Sequence, residues 1–327
     1  MKKRGKGIGA IFYGTGYGNG YPDVSTAWAE VNKEGQISIY MGATEVGQGS
    51  KTIFCQMAAE ILGVGTNEIN FICEDTSQTP DAGTAAASRQ TYNSGNAVKQ
   101  AAEELKKKLI ERAQSFLQLD SVQELEVEGH WVYIKDCPER KMNFKDLAGE
   151  EGFRVIETFI AKTEKINSET GEGAPYWPYT FCCYGVEVEV DTKTGVVEVI
   201  RGVCAQDVGR AINPELIEGQ IDGGFAMGLG YSLMEGINLS QGEIKNNRFS
   251  SYLIPTALDV PDLEKIIIED PSSTGPFGAK GIGEPVMIPV APAILNAIYD
   301  AIGIRFYEIP VTPERILLAI NAVEREE

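Results

Sequence analysis

Residues 184–200 read YGVEVEVDTKTGVVEVI, and they set the pattern of the fold. Valine alternates with glutamate on both sides of the turn at residues 191–194, which predicts two antiparallel strands with one apolar face. Further along the chain, the glutamine of a Gly-Gln pair, Gln220, precedes a predicted helix. An order of strand, turn, strand, Gly-Gln and helix is typical of an α+β unit.

The first half of the chain shows the same order. Strands are predicted for residues 26–31 and 36–40, and they are followed by Gln48 between two glycines and then by a helix. Repetition of one order indicates a duplicated unit, and 327 residues are enough for two domains. We therefore expect an α+β fold of two related strand–strand–helix units packed around a ligand cleft, with domains at 1–150 and 151–327.

Charge and composition exclude several classes of protein. Aspartate and glutamate total 47 against 29 lysines and arginines, which gives a formal net charge of −18. Nucleic acids and anionic membranes bind basic faces, so we expect neither as a partner. No apolar stretch is long enough to span a bilayer, and glycines interrupt the region after the basic start MKKR that an export signal would need apolar. We expect a soluble, cytoplasmic protein.

The cysteines and the histidine predict no metal ligands in this chain. The six cysteines form no CxxC pair and show no zinc spacing, and His130 is the only histidine. An iron–sulfur cluster, a zinc site and a histidine-based catalytic triad are therefore not expected. The adjacent Cys182 and Cys183 lie in a predicted strand, whose alternation should turn them to opposite faces.

Residues 275–285, GPFGAKGIGEP, surround the single carboxylate of Glu284 with glycines and prolines. The apolar run that follows, VMIPVAPAILNAIY, predicts a buried helix directly after this loop. A carboxylate with little water around it is a candidate general base. A glutamate near a helix start can also simply complement the helix dipole. These residues alone leave both interpretations open.

Two further loops precede predicted helices and could bind a ligand. Gln48 offers a side-chain amide beside the backbone amides of a helix start, which suits a phosphate or a polar heterocycle. Residues 88–91, Ser-Arg-Gln-Thr, precede a long helix predicted for 96–117 and form a second candidate loop for an anion. Ordinary helix-capping loops would show similar sequences.

The glycine-rich lead-in at residues 5–20 contains the aromatic pair Phe12 and Tyr13. A strand–GxGxxG–helix pattern is missing, so these glycines do not predict a nicotinamide-dinucleotide site. The segment is either a flexible surface lead-in or a support that presents the two aromatic rings beside a ligand.

Three motifs resemble those of one enzyme family. Residues 42–49 (GATEVGQG), 207–220 (DVGRAINPELIEGQ) and 278–285 (GAKGIGEP) are similar to cofactor and active-site loops of the xanthine dehydrogenase/aldehyde oxidase family of molybdenum hydroxylases. The resemblance spans nearly the whole chain, in the right order, but covers only the C-terminal half of the family's usual large subunit. A chain of this extent is similar to the medium molybdopterin subunit of nicotinate dehydrogenases and to the split purine hydroxylases. We therefore expect this chain to be a separate subunit of its enzyme.

The resemblance implies a set of site residues. Molybdopterin contacts are implied for Gly47, Gln48, Gly49, Gln220 and Gly281, and contacts to a pyrophosphate or nucleotide tail for Ala87, Ser88, Arg89, Gln90 and Thr91. Glu284 is implied as the base that takes a proton from a molybdenum-bound hydroxide. Phe12 and Tyr13 are implied as walls of a pocket for a heteroaromatic substrate.

The implied function is hydroxylation of an electron-poor N-heterocycle, nicotinate- or purine-like, with oxygen from water. The implied cofactor is molybdopterin with molybdenum, in the cytosine dinucleotide form, with a terminal sulfido or selenido ligand. The implied partners are a second molybdopterin-binding subunit, a 2Fe-2S subunit and an FAD subunit. The alternatives are a non-catalytic cofactor-binding or assembly subunit, and an aldehyde- or carbon monoxide-oxidising member of the same family.

Overall fold

The computed structural model describes residues 1–326, and the chain forms two compact units. Unit 1 contains Met1–Tyr13, Thr180–Asp270 and the chain from Ile282 onward, and unit 2 contains Gly14–Tyr179 and Pro271–Gly281. The strands are β1 (Lys2–Gly14), β2 (Asp23–Val31), β3 (Ile37–Tyr40), β4 (Ile69–Ile72), β5 (Leu125–Glu128), β6 (Trp131–Ile134), β7 (Cys137–Asn143), β8 (Phe153–Ala161), β9 (Tyr179–Asp191), β10 (Val197–Asp207), β11 (Leu239–Ser240), β12 (Glu243–Ile244) and β13 (Leu263–Ile268). The helices are α1 (Ser50–Leu62), α2 (Gly95–Leu117), α3 (Phe144–Ala148), α4 (Pro214–Leu233), α5 (Val290–Ile302) and α6 (Pro313–Glu326).

Unit 2 is built on a sheet of strand order β4-β3-β2-β8. Strand β2 pairs antiparallel with both β3 and β8, whereas β3 pairs parallel with β4. A parallel pair needs a crossover connection, and α1 provides it. Helix α2 packs against α1, β2 and β8, and buried side chains such as Phe54 and Leu105 fill the core. A small antiparallel meander, β5-β6-β7, follows α2.

Unit 1 is built on a sheet of strand order β1-β9-β10-β13. The predicted hairpin is β9 and β10, which pair antiparallel, and β10 pairs parallel with β13. Helix α4 makes the crossover; its N-cap Asn213 accepts a hydrogen bond from the backbone of Leu216 at 3.1 Å, and proline occupies the first helical turn. Tyr184, Phe225 and Ile294 are fully buried in the core of the unit.

The α+β class is confirmed, and the repeated order is present in both units. In each, an antiparallel hairpin leads into a helix, then into a strand parallel to the second hairpin strand, and later into a second helix. The single predicted boundary near residue 150 does not coincide with the two units, because β8 hydrogen-bonds to β2 and β1 joins the sheet of β9. Such long-range strand pairing leaves no local signal in the sequence.

The predicted alternation at the adjacent cysteines is confirmed, since Cys182 is buried and Cys183 is exposed. Residues 5–14 of the glycine-rich lead-in belong to strand β1 rather than to a flexible segment. Within residues 1–326, no helix combines the length and the apolar character that a membrane crossing requires.

Candidate functional site

Glu284 lies in the turn of residues 282–289, which directly precedes α5. This turn belongs to unit 1. The backbone carbonyl of Glu284 accepts N–H groups from Met287 at 3.0 Å and from Ile288 at 3.3 Å. The Cys182 thiol donates to the carbonyl of Pro285 at 3.3 Å. These bonds fix the main chain on the C-terminal side of the Glu284 side chain, which is half-buried.

The carboxylate of Glu284 has an aromatic partner in the same unit. The hydroxyl of Tyr13, near the end of β1, donates to Glu284 Oε2 at 3.1 Å. Phe12 is on the opposite face of β1, because neighbouring residues of a strand alternate. Its side chain is 63% exposed, and its ring lies 5.1 Å from the ring of Phe181. The structure therefore brings Tyr13, but not Phe12, to Glu284; the role of either ring against a substrate stays a prediction.

Glycines of β1 explain why the strand reaches this turn. A Cβ atom at any of three glycines would overlap the backbone of α5 or of the residue before it: Gly5 at Ala297, Gly7 at Ala293 and Gly9 at Pro289. Strand and helix therefore pack backbone to backbone. Two strand residues rise about as far as four helix residues, roughly 6–7 Å. The same register carries the end of β1 to the turn that precedes α5.

In unit 2, the side chain of Gln48 joins two of the predicted loops. Its Oε1 accepts the N–H of Val46 at 2.7 Å, and its Nε2 lies 2.9 Å from the carbonyl of Thr44 and 2.7 Å from Oε1 of Gln90. Gln90 in turn donates to the carbonyl of Thr44 at 3.3 Å. The loop of residues 42–49 and the loop of residues 82–91 are therefore joined into one surface by the neutral amides of Gln48 and Gln90.

Glu45 is a residue of this surface that the sequence reasoning missed. Its carboxylate accepts backbone N–H groups from Gly47 at 2.8 Å, Gly49 at 3.0 Å and Lys51 at 3.0 Å, at the N-terminus of α1. The amides predicted to be available for a ligand are thus already bound by a carboxylate from the same loop. A phosphate at this helix start would have to displace Glu45, so the loop favours a neutral, hydrogen-bonding ligand.

The pKa of Glu45 reflects this position. Partial burial alone would raise the pKa, but the N–H groups of Lys51, Gly49 and Gly47 and the hydroxyl of Ser50 outweigh burial and hold it below the ordinary 4.5. A carboxyl with a lowered folded-state pKa stabilises the fold at pH values above its unfolded pKa. That contribution is lost as the pH falls through the folded-state pKa.

We expect Glu45→Gln to lower the free energy of unfolding by about 1 kcal/mol at pH 7, as for the loss of a helix cap. The difference in unfolding free energy between the variant and wild type should shrink as the pH falls below 4.5, the ordinary pKa of a glutamate, because the pKa of Glu45 lies below that value. Urea unfolding at pH 7 and at pH 4 measures both effects. The matched control is Glu60→Gln, an exposed carboxylate on α1. Equal stability of both variants at pH 7 would contradict the assignment.

The guanidinium of Arg89 points into unit 2, where it is bound by protein groups. Arg89 is 1% exposed; its Nε donates to Asp23 Oδ1 at 2.5 Å. Its terminal nitrogens donate to the carbonyls of Ala82 at 2.7 Å and Val24 at 2.7 Å. The family resemblance implies a direct contact between Arg89 and a nucleotide tail, which stays a prediction; the observed partners of the guanidinium order the loop from within. Asp23, the buried counter-ion, is a second residue that the sequence reasoning missed.

Two residues of the loop before Arg89, Ala87 and Ser88, have unusual backbone conformations. Ala87 and Ser88 have φ angles of 53° and 51°, which non-glycine residues rarely adopt and which often mark functional loops. The carbonyl of Ser88 lies so close to Gly281 that any side chain at Gly281 would overlap it. Thr91 is half-buried in a π-helical turn, Gln90–Ser94, that leads into α2. Thus Ser88, Gln90, Thr91 and Gly281 lie in one region of unit 2.

Gln220 lies on α4 in unit 1, whereas Gln48 lies in unit 2. It is half-buried, and the neighbouring Gly219 and Gly223 have open space where a Cβ atom would be. The helix backbone around Gln220 is therefore accessible to a flat ligand.

Within unit 2, the loops at residues 42–49 and 82–91 fit a polar heterocycle that carries a phosphate. The side-chain amides of Gln48 and Gln90 can both donate and accept hydrogen bonds, as the edge of a pterin does. Gly47 leaves its backbone open, since nothing lies within 4 Å of the position of a Cβ atom. The buried Oδ1 of Asn93, next to this loop, has no hydrogen-bond partner among the described residues. The donor set is neutral, so a phosphate would depend on loop amides and hydroxyls.

Comparison with known proteins identifies the family of the chain. Residues 1–261 match the family described as molybdopterin cofactor-binding domain. The chain is 34% identical to the putative xanthine dehydrogenase molybdenum-binding subunit XdhA of Escherichia coli K12, over 96% of this chain and 42% of that protein. It is 30% identical to aldehyde oxidoreductase of Megalodesulfovibrio gigas, over 98% of this chain and 33% of that protein.

A solved structure shows the same fold. Quinoline 2-oxidoreductase of Pseudomonas putida 86 superposes with a TM-score of 0.84 at 25% identity, covering 98% of this chain and 42% of the other. The chain thus spans less than half the length of the relatives that it matches. With its family match, its relatives and its fold in agreement, the chain belongs to the molybdopterin cofactor-binding domains of the xanthine dehydrogenase/aldehyde oxidase family.

Proposed function

We propose that the chain is part of a molybdenum hydroxylase that hydroxylates an electron-poor N-heterocycle, with Glu284 as the general base. The observation that carries this proposal is the half-buried carboxylate of Glu284, held at 3.1 Å by the Tyr13 hydroxyl in the turn before α5. Xanthine and quinoline, which appear in the names of two similar proteins, are N-heterocycles and support a nicotinate- or purine-like substrate.

The proposed cofactor is molybdopterin in its cytosine dinucleotide form, with a terminal sulfido or selenido ligand on molybdenum. When bound, this group supplies the redox chemistry of a hydroxylation whose oxygen comes from water. We assign Gln48 and Gln220 to the pterin, and Ser88, Gln90 and Thr91 to the dinucleotide tail. Neutral amides orient a pterin by hydrogen bonds, and the protein's task is to hold and orient such a cofactor.

Glu284 supplies the acid–base part of the reaction. Its carboxylate takes up the proton that is released when the oxygen nucleophile forms the new carbon–oxygen bond. A positioned base of this kind typically accelerates a reaction by roughly 10²–10⁴-fold. A non-catalytic assembly protein would not need a half-buried carboxylate with a dedicated hydrogen-bond donor.

The proposed partners follow from the length of the relatives. Because the match covers 42% of XdhA, we propose that a second molybdopterin-binding part completes the site, and that 2Fe-2S and FAD subunits carry electrons away. Aldehyde oxidation is a second candidate activity, since aldehyde oxidoreductase is 30% identical to this chain.

Metal analysis of the native complex, purified through this chain, tests the proposal. We expect about one molybdenum per chain, together with oxidation of nicotinate or a purine in the presence of an artificial electron acceptor. Turnover of aldehydes alone would favour the second candidate. A complex that contains no molybdenum would overturn both.

A further inference from the structure

We propose that Tyr13 is a positioning residue, whose hydroxyl fixes the rotation of the Glu284 carboxylate for proton transfer. This inference rests on the proposed role of Glu284 as the base. The contact that carries it is the hydrogen bond of 3.1 Å from the Tyr13 hydroxyl to Glu284 Oε2. The implied role of Tyr13, a wall of the substrate pocket, concerns its ring, whereas the role proposed here belongs to its hydroxyl.

The framework that delivers Tyr13 is closely packed. Strand β1 lies directly on the backbone of α5 through Gly5, Gly7 and Gly9, so no side chain separates the two elements. The register of this contact advances toward the start of α5 as β1 approaches Tyr13. A hydroxyl that is held through backbone packing loses little conformational freedom when it binds its partner, and such preorganisation favours function.

The hydrogen bond from Tyr13 acts on the side chain of Glu284 rather than on its main chain. Its main chain is fixed by the turn, since its carbonyl accepts hydrogen bonds from Met287 at 3.0 Å and Ile288 at 3.3 Å. These bonds do not fix the torsions that separate the carboxylate from the backbone, and the terminal torsion of a glutamate is broad. A hydrogen bond to one carboxylate oxygen restricts that torsion.

The chemistry of a phenol suits this task. A lysine or arginine partner would place a full positive charge beside the carboxylate and oppose uptake of a proton. The Tyr13 hydroxyl donates a hydrogen bond and stays neutral, so it orients the base at a smaller electrostatic cost. Strand alternation places the ring of Phe12 on the other face, so Phe12 cannot substitute for this contact.

The test uses the loaded native complex with Tyr13→Phe, which removes one hydroxyl and keeps the ring. We expect the single-turnover rate of cofactor reduction by substrate to fall by roughly 10- to 100-fold, as for a misplaced catalytic group. The Michaelis constant, the molybdenum content and the melting temperature should stay close to wild type. In a crystal structure of the variant, the Glu284 carboxylate should occupy more than one orientation. Tyr307→Phe, at a residue that is 90% exposed, is the matched control.

A double variant separates positioning from direct substrate contact. In the Glu284→Gln background, Tyr13→Phe should cause almost no further loss in the single-turnover rate, which can be followed over hours. A full additional loss would show that Tyr13 acts on the substrate, and a wild-type rate in Tyr13→Phe alone would show no role; either result overturns the inference. If Glu284→Gln alone reacts at the wild-type rate, it is the proposed function that fails.

Discussion

Replacing Glu284 by glutamine is expected to lower turnover of the proposed heterocyclic substrate by roughly 10²–10⁴-fold, with the molybdenum content of the complex unchanged. Glutamine has nearly the same shape as glutamate, so the turn at residues 282–289 and its bonds to Met287 and Ile288 should remain. It can still accept the hydrogen bond from Tyr13, but it cannot take up a proton. The measurement is kcat and molybdenum content on the same preparation.

Glu308→Gln provides the control for this prediction, because that side chain is 84% exposed and belongs to the same unit. The control should leave both quantities at the wild-type level. Loss of molybdenum together with activity in Glu284→Gln would point to a role of Glu284 in cofactor retention. Turnover within a few-fold of wild type would remove Glu284 from the acid–base chemistry.

Local patterns in the sequence predicted the elements of this fold well. Alternation over residues 184–200 predicted β9 and β10. Gln48 precedes α1 as predicted, whereas Gln220 lies inside α4 rather than before it. Each of these signals lies within a short window, where periodicity and turn chemistry act. The lead-in at residues 5–20 was harder to interpret, because glycine is compatible with both flexibility and close packing. Only its contact with α5, nearly 300 residues away, distinguishes the two.

The site depended more strongly on contacts that are distant in sequence. The Glu284 turn could be found from its glycines and prolines, but its partner Tyr13 is 271 positions away. Glu45 was predictable in principle, since a glutamate just before a glycine-flanked helix start can cap that helix. It was missed because Gln48 in the same motif attracted the functional interpretation.

Arg89 shows how an arginine in a polar loop can be bound by a partner that is distant in the sequence. An arginine in a polar loop before a helix is typical of an anion site. Here Asp23, 66 positions away, binds the guanidinium inside unit 2. The loop around Ser88 and Gln90 is therefore shaped by a buried ion pair. We infer that a ligand would contact this loop through the smaller neighbours of Arg89.

Arg89→Leu is expected to destabilise the protein by roughly 3–5 kcal/mol, because it leaves the buried Asp23 carboxylate without its counter-ion. Both side chains are at most 1% exposed, and Arg89 also satisfies the carbonyls of Ala82 and Val24. Replacing Asp23 and Arg89 together by leucine should recover part of the loss, since no unpaired charge remains. Chemical unfolding of each variant measures these free energies.

The matched control is Arg201→Leu, which breaks the ion pair between Arg201 and Glu264. The side chain of Arg201 is 62% exposed and that of Glu264 is 55% exposed. An exposed pair of this kind contributes about 0–1 kcal/mol, so the control should unfold close to wild type. If Arg89→Leu were as stable as the control and lost only affinity for the cofactor, Arg89 would be a direct contact to the dinucleotide tail. Strong destabilisation, with partial recovery in the double variant, establishes it instead as the internal support of the loop that holds Ser88 and Gln90.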